Sequence, residues 1–379
     1  MTRRIGVFIV LYIALLASAA SAAPISFVTI DGRPFVQVSV NGHPASFLLD
    51  TGDGGHNAIS RRLAASLHLT QQGTTAIAGA NAGHLSVSHA VVDRFGFGPI
   101  VLQKATFTVA DFAQLELHIG FQLNGIVASA TLANHRIRID GPQHRIDIDP
   151  PTAPPGISVP LAIMDGWPIV TARVDGVRGQ FLIDTGDRSY LTLFTPFASS
   201  HYPLRDRRLR GVVTGFGLVS PIVTDLTRTS FAVDHLAVPD LLTRLATQTM
   251  GGFASSALAG SIGFPTFQNA DIEIDYVRHR LTIASSGPAP NSQWDHVGMW
   301  LSRGQDALIV DSVIPHSPAA QAGLRPGDQL LSVDGQRAQT VNLPKLRSRL
   351  ASAQDDDVRL IVRYKDHVTA VTLRPRALI

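Results

Sequence analysis

The chain contains no cysteine. That excludes disulfide scaffolds, thiolate zinc sites, iron–sulfur clusters and cysteine nucleophiles. Charge is sparse: 16% of the 379 residues are Asp, Glu, Lys or Arg, and only Lys104, Lys345 and Lys365 are lysines. With 32 basic against 29 acidic residues the net charge is +3. No basic stripe with interleaved aromatics is present, so nucleic acid is not an expected partner. There is no G-x-x-x-x-G-K-[ST] phosphate loop and no H-E-x-x-H, and the 14 histidines show no metal-ligand spacing. No cofactor and no metal are expected. The apolar fraction of 45% suits packed cores rather than a disordered chain.

One apolar run stands out, at the N-terminus. Arg3 and Arg4 precede 13 apolar residues, Ile5 to Ala17, and then Ser18-Ala19-Ala20-Ser21-Ala22. This three-part pattern reads as a signal peptide over residues 1–22, cleaved after Ala22. The alternative is a retained anchor, although the run is shorter than the roughly 20 residues a spanning helix needs. Cleavage removes two arginines and lowers the net charge to +1. The mature chain is expected to be exported, periplasmic or secreted, with no stable membrane span.

The most informative property is an internal repeat. Asp31-Gly32-Arg33-Pro34-Phe35-Val36 returns as Asp165-Gly166-Trp167-Pro168-Ile169-Val170. Phe47-Leu48-Leu49-Asp50-Thr51-Gly52-Asp53 returns as Phe181-Leu182-Ile183-Asp184-Thr185-Gly186-Asp187, at an offset of 134. Ile137-Arg138-Ile139-Asp140 returns as Ile272-Glu273-Ile274-Asp275, at 135. Each unit alternates apolar and polar residues, as in Phe35 to Val40, and places Asn41-Gly42 or Asp175-Gly176 at a hairpin turn. A helix is predicted over Ile59 to Leu69 from the spacing of Ile59, Leu63 and Leu67. Proline-rich segments at 150–156 and 284–292 act as linkers. The domains are therefore read as 24–150, 157–285 and 294–379.

An Asp-Thr-Gly at the end of an apolar strand is by itself a turn signal. Two copies at matched positions of homologous halves carry chemistry. Two carboxylates brought together cannot both ionise, so they share a proton. The ionised one takes a proton from water while the other donates to a carbonyl oxygen. Thr51 and Thr185 can lock the two loops, and Gly52 and Gly186 allow close backbone approach.

On these motifs the chain resembles the retropepsin-like aspartic peptidases over most of residues 27–285. The resemblance implies two homologous β lobes forming a bilobal acid-protease fold, a dyad of Asp50 and Asp184, and aspartic-type endopeptidase activity on protein or peptide substrates. It also implies a later apolar strand bracing each catalytic loop, with Ser261-Ile262-Gly263 in the second lobe. The first lobe has Ile126-Val127-Ala128, so Ala128 stands where the family has Gly. Asp53 and Asp187 replace the family's Ser or Ala; they are either solvated turn carboxylates or charges that raise the dyad's pKa. Gly79, Gly83, Gly215 and Gly217 are flap candidates, or plain loops. Ala259-Gly260-Ser261-Ile262-Gly263 also has the form of a nucleophile elbow, but the strand–helix alternation such an elbow requires is missing.

Ser317 to Gly335, with Gly323-Leu324-Arg325-Pro326-Gly327-Asp328, resembles the core of a bacterial PDZ domain, a small α+β unit. The resemblance implies a peptide groove, with Gly298, Met299, Trp300 and Leu301 in the loop that receives peptide C-termini. Packing for structure alone is the alternative. A further reading of the whole is a non-catalytic periplasmic peptide-binding or chaperone-like protein.

Overall fold

Each repeat begins as a tight hairpin whose turn residues need left-handed backbone. Asn41 and Gly42 have φ of 50° and 84°, and Asp175 and Gly176 have 47° and 80°. Such turns match the right-handed twist of the flanking strands. In the computed structural model, which describes residues 23–78, 84–202, 209–213, 222–285, 295–351 and 356–378, they join Arg33–Val40 to His43–Asp50 and Trp167–Val174 to Val177–Asp184. The expected signal peptide (1–22) and all four flap candidates lie outside the described residues. No helix of the described residues is long and apolar enough to cross a membrane.

The chain is mainly β, with two lobes of like topology followed by a PDZ fold. In each lobe the strand ending in the candidate Asp pairs in parallel with the later apolar strand. Asp50 lies opposite Ala128 and Asp184 opposite Gly263. Each lobe fills its interior with aromatics: Phe47 and Phe181 come from the Asp-bearing strands, and Phe95, Phe107 and Phe231 from neighbouring strands of the same lobes, all buried. Beneath both lobes the Arg136–Asp140 strand pairs with Ala270–Asp275, setting Ile137 against Ile274 and Ile139 against Ile272. This shared sheet fixes the lobes to one another. On it Arg138 grips Asp271 through Nε at 2.9 and 3.1 Å, and Arg136 reaches Glu273 at 3.0 Å.

The predicted Ile59–Leu69 helix is shorter. Ala58–Ser60 is a strand and the helix runs Arg61–Ser66. Ser60 caps it by accepting the N–H of Leu63 at 3.1 Å. Ile59 is recruited by the parallel neighbour Thr108–Ala110, so tertiary pairing overrides the helical period. A second helix, Ala113–Ile119, was not foreseen.

The C-terminal domain has its own core of Val297, Leu301, Leu308, Leu330, Leu346, Leu350 and Leu360. Its Leu343–Leu350 helix presents Leu343, Leu346 and Leu350 inward. Gly120 and Leu343 touch closely, since a Cβ on Gly120 would stand 2.7 Å from the Leu343 Cβ.

Candidate active site

The two triplets meet reciprocally, as a two-fold exchange of the repeats would place them. The Thr51 N–H donates to Thr185 Oγ1 at 3.0 Å, and the Thr185 N–H donates to Thr51 Oγ1 at 3.0 Å. Each hydroxyl then donates across the interface, Thr51 to the Ile183 carbonyl and Thr185 to the Leu49 carbonyl, both at 2.7 Å. Both threonines are fully buried. Four satisfied hydrogen bonds in a dry setting fix the separation of the loops.

Glycine at the third position is required by proximity. A Cβ on Gly52 would lie 2.4 Å from the Asp184 Cγ, and one on Gly186 would lie 2.3 Å from the Asp50 Cγ. Each loop's glycine thus sits against the opposite lobe's carboxyl. Asp50 Oδ1 accepts the N–H groups of Gly52 and Asp53, at 2.9 and 3.1 Å, and Asp184 Oδ1 accepts that of Asp187 at 3.0 Å.

Burial raises both acids. Asp50 is pushed up to about 7 by burial and then by the Asp53 charge. Asp184 is raised well above the usual carboxylate range by burial, the Asp50 charge and the Asp187 charge. The pair therefore holds a proton near neutral pH, which is the state that supplies one base and one acid.

Asp187 is held by neighbouring side chains, whereas Asp53 is a half-buried turn residue. Asp53 accepts the Gly55 N–H at 2.9 Å, and burial raises its own carboxyl. Asp187 accepts from the Ser189 N–H at 2.8 Å and from the Thr192 and Ser261 hydroxyls at 3.1 Å each. Ser261 is buried in its strand and spends its hydroxyl on Asp187, so it is no exposed nucleophile.

The Ala128 position differs from Gly263 in what its N–H meets. In the second lobe the Gly263 N–H donates to the Tyr190 carbonyl, and a Cβ there would lie 1.8 Å from the Ser189 carbonyl oxygen. In the first lobe the Ala128 N–H donates instead to the Asn57 side chain, at 2.8 Å. A side-chain amide replaces the main-chain carbonyl.

Sequence reasoning missed a cluster beside the dyad. Asp31, in the turn between the Ile25–Ile30 and Arg33–Val40 strands, is ion-paired with Arg33 at 2.9 Å, Arg188 at 3.2 Å and Arg347 at 3.1 Å. Burial works to raise the Asp31 carboxyl, and the charges of Arg188, Arg347 and Arg33 outweigh it and hold it low. The signal was the Asp-Gly-x-Pro repeat, which served only to show duplication. Its second copy, Asp165-Gly166-Trp167, packs on Gly54 of the first lobe. Each repeat's Asp-Gly turn thus buttresses the loop after the other repeat's triplet.

Of the C-terminal candidates, Gly298 has φ 74°, and a Cβ on it would lie 2.2 Å from Ser317 Cβ. Met299, Trp300 and Leu301 are buried. The Trp300 ring lies 4.2 Å from the Arg188 guanidinium and 4.0 Å from that of Arg347. The loop therefore faces the protease lobes.

Residues 36–128 match the aspartyl protease family and residues 309–363 match the PDZ domain family. The chain combines a retropepsin-like aspartic protease fold with a C-terminal PDZ domain. A Clostridium perfringens (strain 13 / Type A) protein named "Putative zinc metalloprotease CPE1693" is 33% identical over 79 residues, 21% of this chain and 23% of that protein. The chain thus spans less than a quarter of that relative's length. H-E-x-x-H is missing from the sequence, and the described residues hold no group of three or more His, Asp or Glu that could take a metal ion.

Proposed function

We propose that the protein is an exported aspartic-type endopeptidase in which Asp50 and Asp184 activate a water for attack on a peptide carbonyl. The observation that carries this is the buried pair, joined through the reciprocal Thr51–Thr185 bonds and raised toward neutral pH. The ionised carboxylate takes the water's proton, the protonated one donates to the carbonyl oxygen, and no covalent intermediate is formed. The aspartyl protease match over one lobe and the protease name of the distant relative agree with a proteolytic role. Export follows from the Arg3-Arg4 leader pattern, and the PDZ domain would receive peptide or protein termini.

The test is casein cleavage between mildly acidic and neutral pH, with and without pepstatin, for the mature chain and for Asp50→Asn and Asp184→Asn. Pepstatin-sensitive cleavage lost in both variants supports the reading. Cleavage that survives either substitution in a folded protein overturns it. Peptide binding without turnover would instead make the chain a peptide-binding protein.

A further inference from the structure

PDZ domains take a peptide as an added strand, with its terminal carboxylate held by loop N–H groups. Here the Met299–Arg303 strand is a sheet edge, paired among the described residues only with Leu308–Val313. The left-handed backbone at Gly298 turns the N–H groups of Val297, Gly298 and Met299 toward one spot. That spot already holds a carboxylate. Asp295 Oδ1 accepts from Val297 at 2.7 Å and Gly298 at 3.2 Å, and Oδ2 accepts from Met299 at 3.1 Å.

The edge is engaged too. The Leu301 carbonyl accepts from Arg347 Nη2 at 2.6 Å. The same Nη2 donates to the His118 carbonyl at the end of the Ala113–Ile119 helix. His118 Nδ1 lies 3.3 Å from Asp311 on the neighbouring strand. The first lobe is therefore lodged between the edge strand and the Leu343–Leu350 helix, the two elements that flank a PDZ groove.

We propose that this groove is a site for peptide C-termini held shut by the chain's own side chains, so that a peptide carboxylate enters by displacing Asp295 from the three N–H groups and Arg347 from Leu301. The proposal rests on the reading of the C-terminal domain as a peptide-binding module. A cavity of about 450 Å³ adjoins the loop, lined by Asp295, Met299, Trp300 and Leu350 on one side and by Arg188 and Tyr190 of the second lobe on the other. Arg188 Nη1 is buried and has no hydrogen-bond partner among the described residues. An incoming carboxylate can use that unbonded nitrogen together with the N–H groups, beside the Arg188–Asp31 ion pair. Met299 and Leu350 make the wall apolar beside them, which fits a peptide ending in an aliphatic residue. Burial pushes the Asp295 carboxyl up to about 7 despite its three N–H bonds. Because Arg347 also holds Asp31, opening the groove removes one of that acid's three cations.

The experiment uses the mature chain in an Asp50→Asn background, so that no probe is cut. The probe is a fluorescein-labelled hexapeptide pool, randomised before a C-terminal Val, as the free acid and as the amide. Asp295→Ala is expected to bind the acid at least about tenfold more tightly than its parent, a difference of about 1.4 kcal/mol, and neither protein should bind the amide. Equal binding of the acid by the two proteins overturns the latch and leaves the peptide-binding reading intact. No binding of the acid by either, or equal binding of acid and amide, overturns the peptide-binding reading itself. A readout independent of peptide sequence covers weak folding of the variant. Sodium acetate, against sodium chloride at equal ionic strength, should raise the Tm of Asp295→Ala but not of the parent. A variant that acetate does not stabilise overturns the exchange at this loop.

Discussion

Arg33 of the first lobe donates from Nε to the Gly186 carbonyl of the second at 2.7 Å, so the backbone of one Asp-Thr-Gly loop is held by a side chain from the opposite repeat. The same guanidinium is paired with Asp31, which also holds Arg347 of the PDZ domain. A continuous set of bonds thus runs from the PDZ helix to the Asp184 loop. Arg33→Ala removes a charge-assisted bond worth about 1.5–3 kcal/mol. The expected outcome is a fall in kcat of about 10-fold or more with a smaller change in KM, since the loop is displaced while the cleft remains. Steady-state kinetics on a peptide cleaved by the parent checks this. An unchanged kcat would show that Gly186 needs no such support.

The raised acids make stability depend on pH. A carboxyl whose folded-state pKa lies above its unfolded value favours folding least when ionised. Here the unfolded value is near 3.9 and the folded Asp50 value about 7. The dyad's contribution is therefore most favourable below about pH 4 and is lost as pH rises toward 7. Asp50→Asn removes the buried charge and should raise Tm at pH 7.5 while leaving it nearly unchanged at pH 4. Thermal melts at the two pH values decide; equal shifts at both would contradict a titrating Asp50.

Asp53 and Asp187 place negative charge beside the dyad. The isosteric pair Asp53→Asn and Asp187→Asn removes that charge, so the dyad ionises more easily. Both limbs of the bell-shaped kcat/KM profile should move to lower pH. A profile that stays in place, with activity retained, would show that screening cancels the two charges.

The bracing strands should respond asymmetrically. Gly263→Ala forces a methyl against the Ser189 carbonyl, 1.8 Å from the new Cβ, and should lower stability by several kcal/mol or abolish folding. Ala128→Gly removes a methyl at a strand end whose N–H is already taken by the Asn57 side chain, and should cost about 1 kcal/mol with turnover retained. Chemical denaturation of the two variants measures this. Equal losses would mean that the Asn57 substitution for a backbone carbonyl does not relieve the site.

Thr51→Ala and Thr185→Ala each strand a buried N–H and a buried carbonyl, at about 1–3 kcal/mol for each unmet group. Serine at either position keeps the hydroxyl and should restore most of the stability. Denaturation midpoints for the alanine and serine variants provide the check, and an alanine variant as stable as the parent would remove the lock from the account.

The sequence alone determined the duplication, the β character, the paired Asp-Thr-Gly loops and the hairpin turns at Asn41-Gly42 and Asp175-Gly176. These are local: period-two burial, residues that tolerate left-handed backbone, and a motif repeated at fixed spacing. The helix at Ile59 was misjudged because Ile59 pairs across the sheet with Val109, a contact 50 residues away that outweighs a helical period. The Ser261 motif and the fate of Asp187 were decided by the same kind of contact, a hydroxyl on one strand meeting a carboxylate from a distant loop. The Asp31 cluster and the Asp295 latch belong to tertiary structure as well. Arg33, Arg188 and Arg347 are far apart in the chain, and only the packing of three domains makes them share one acid. A carboxylate that fills its own binding loop is invisible in sequence, because an Asp two residues ahead of a Val-Gly pair reads as an ordinary turn until the directions of the N–H groups are known.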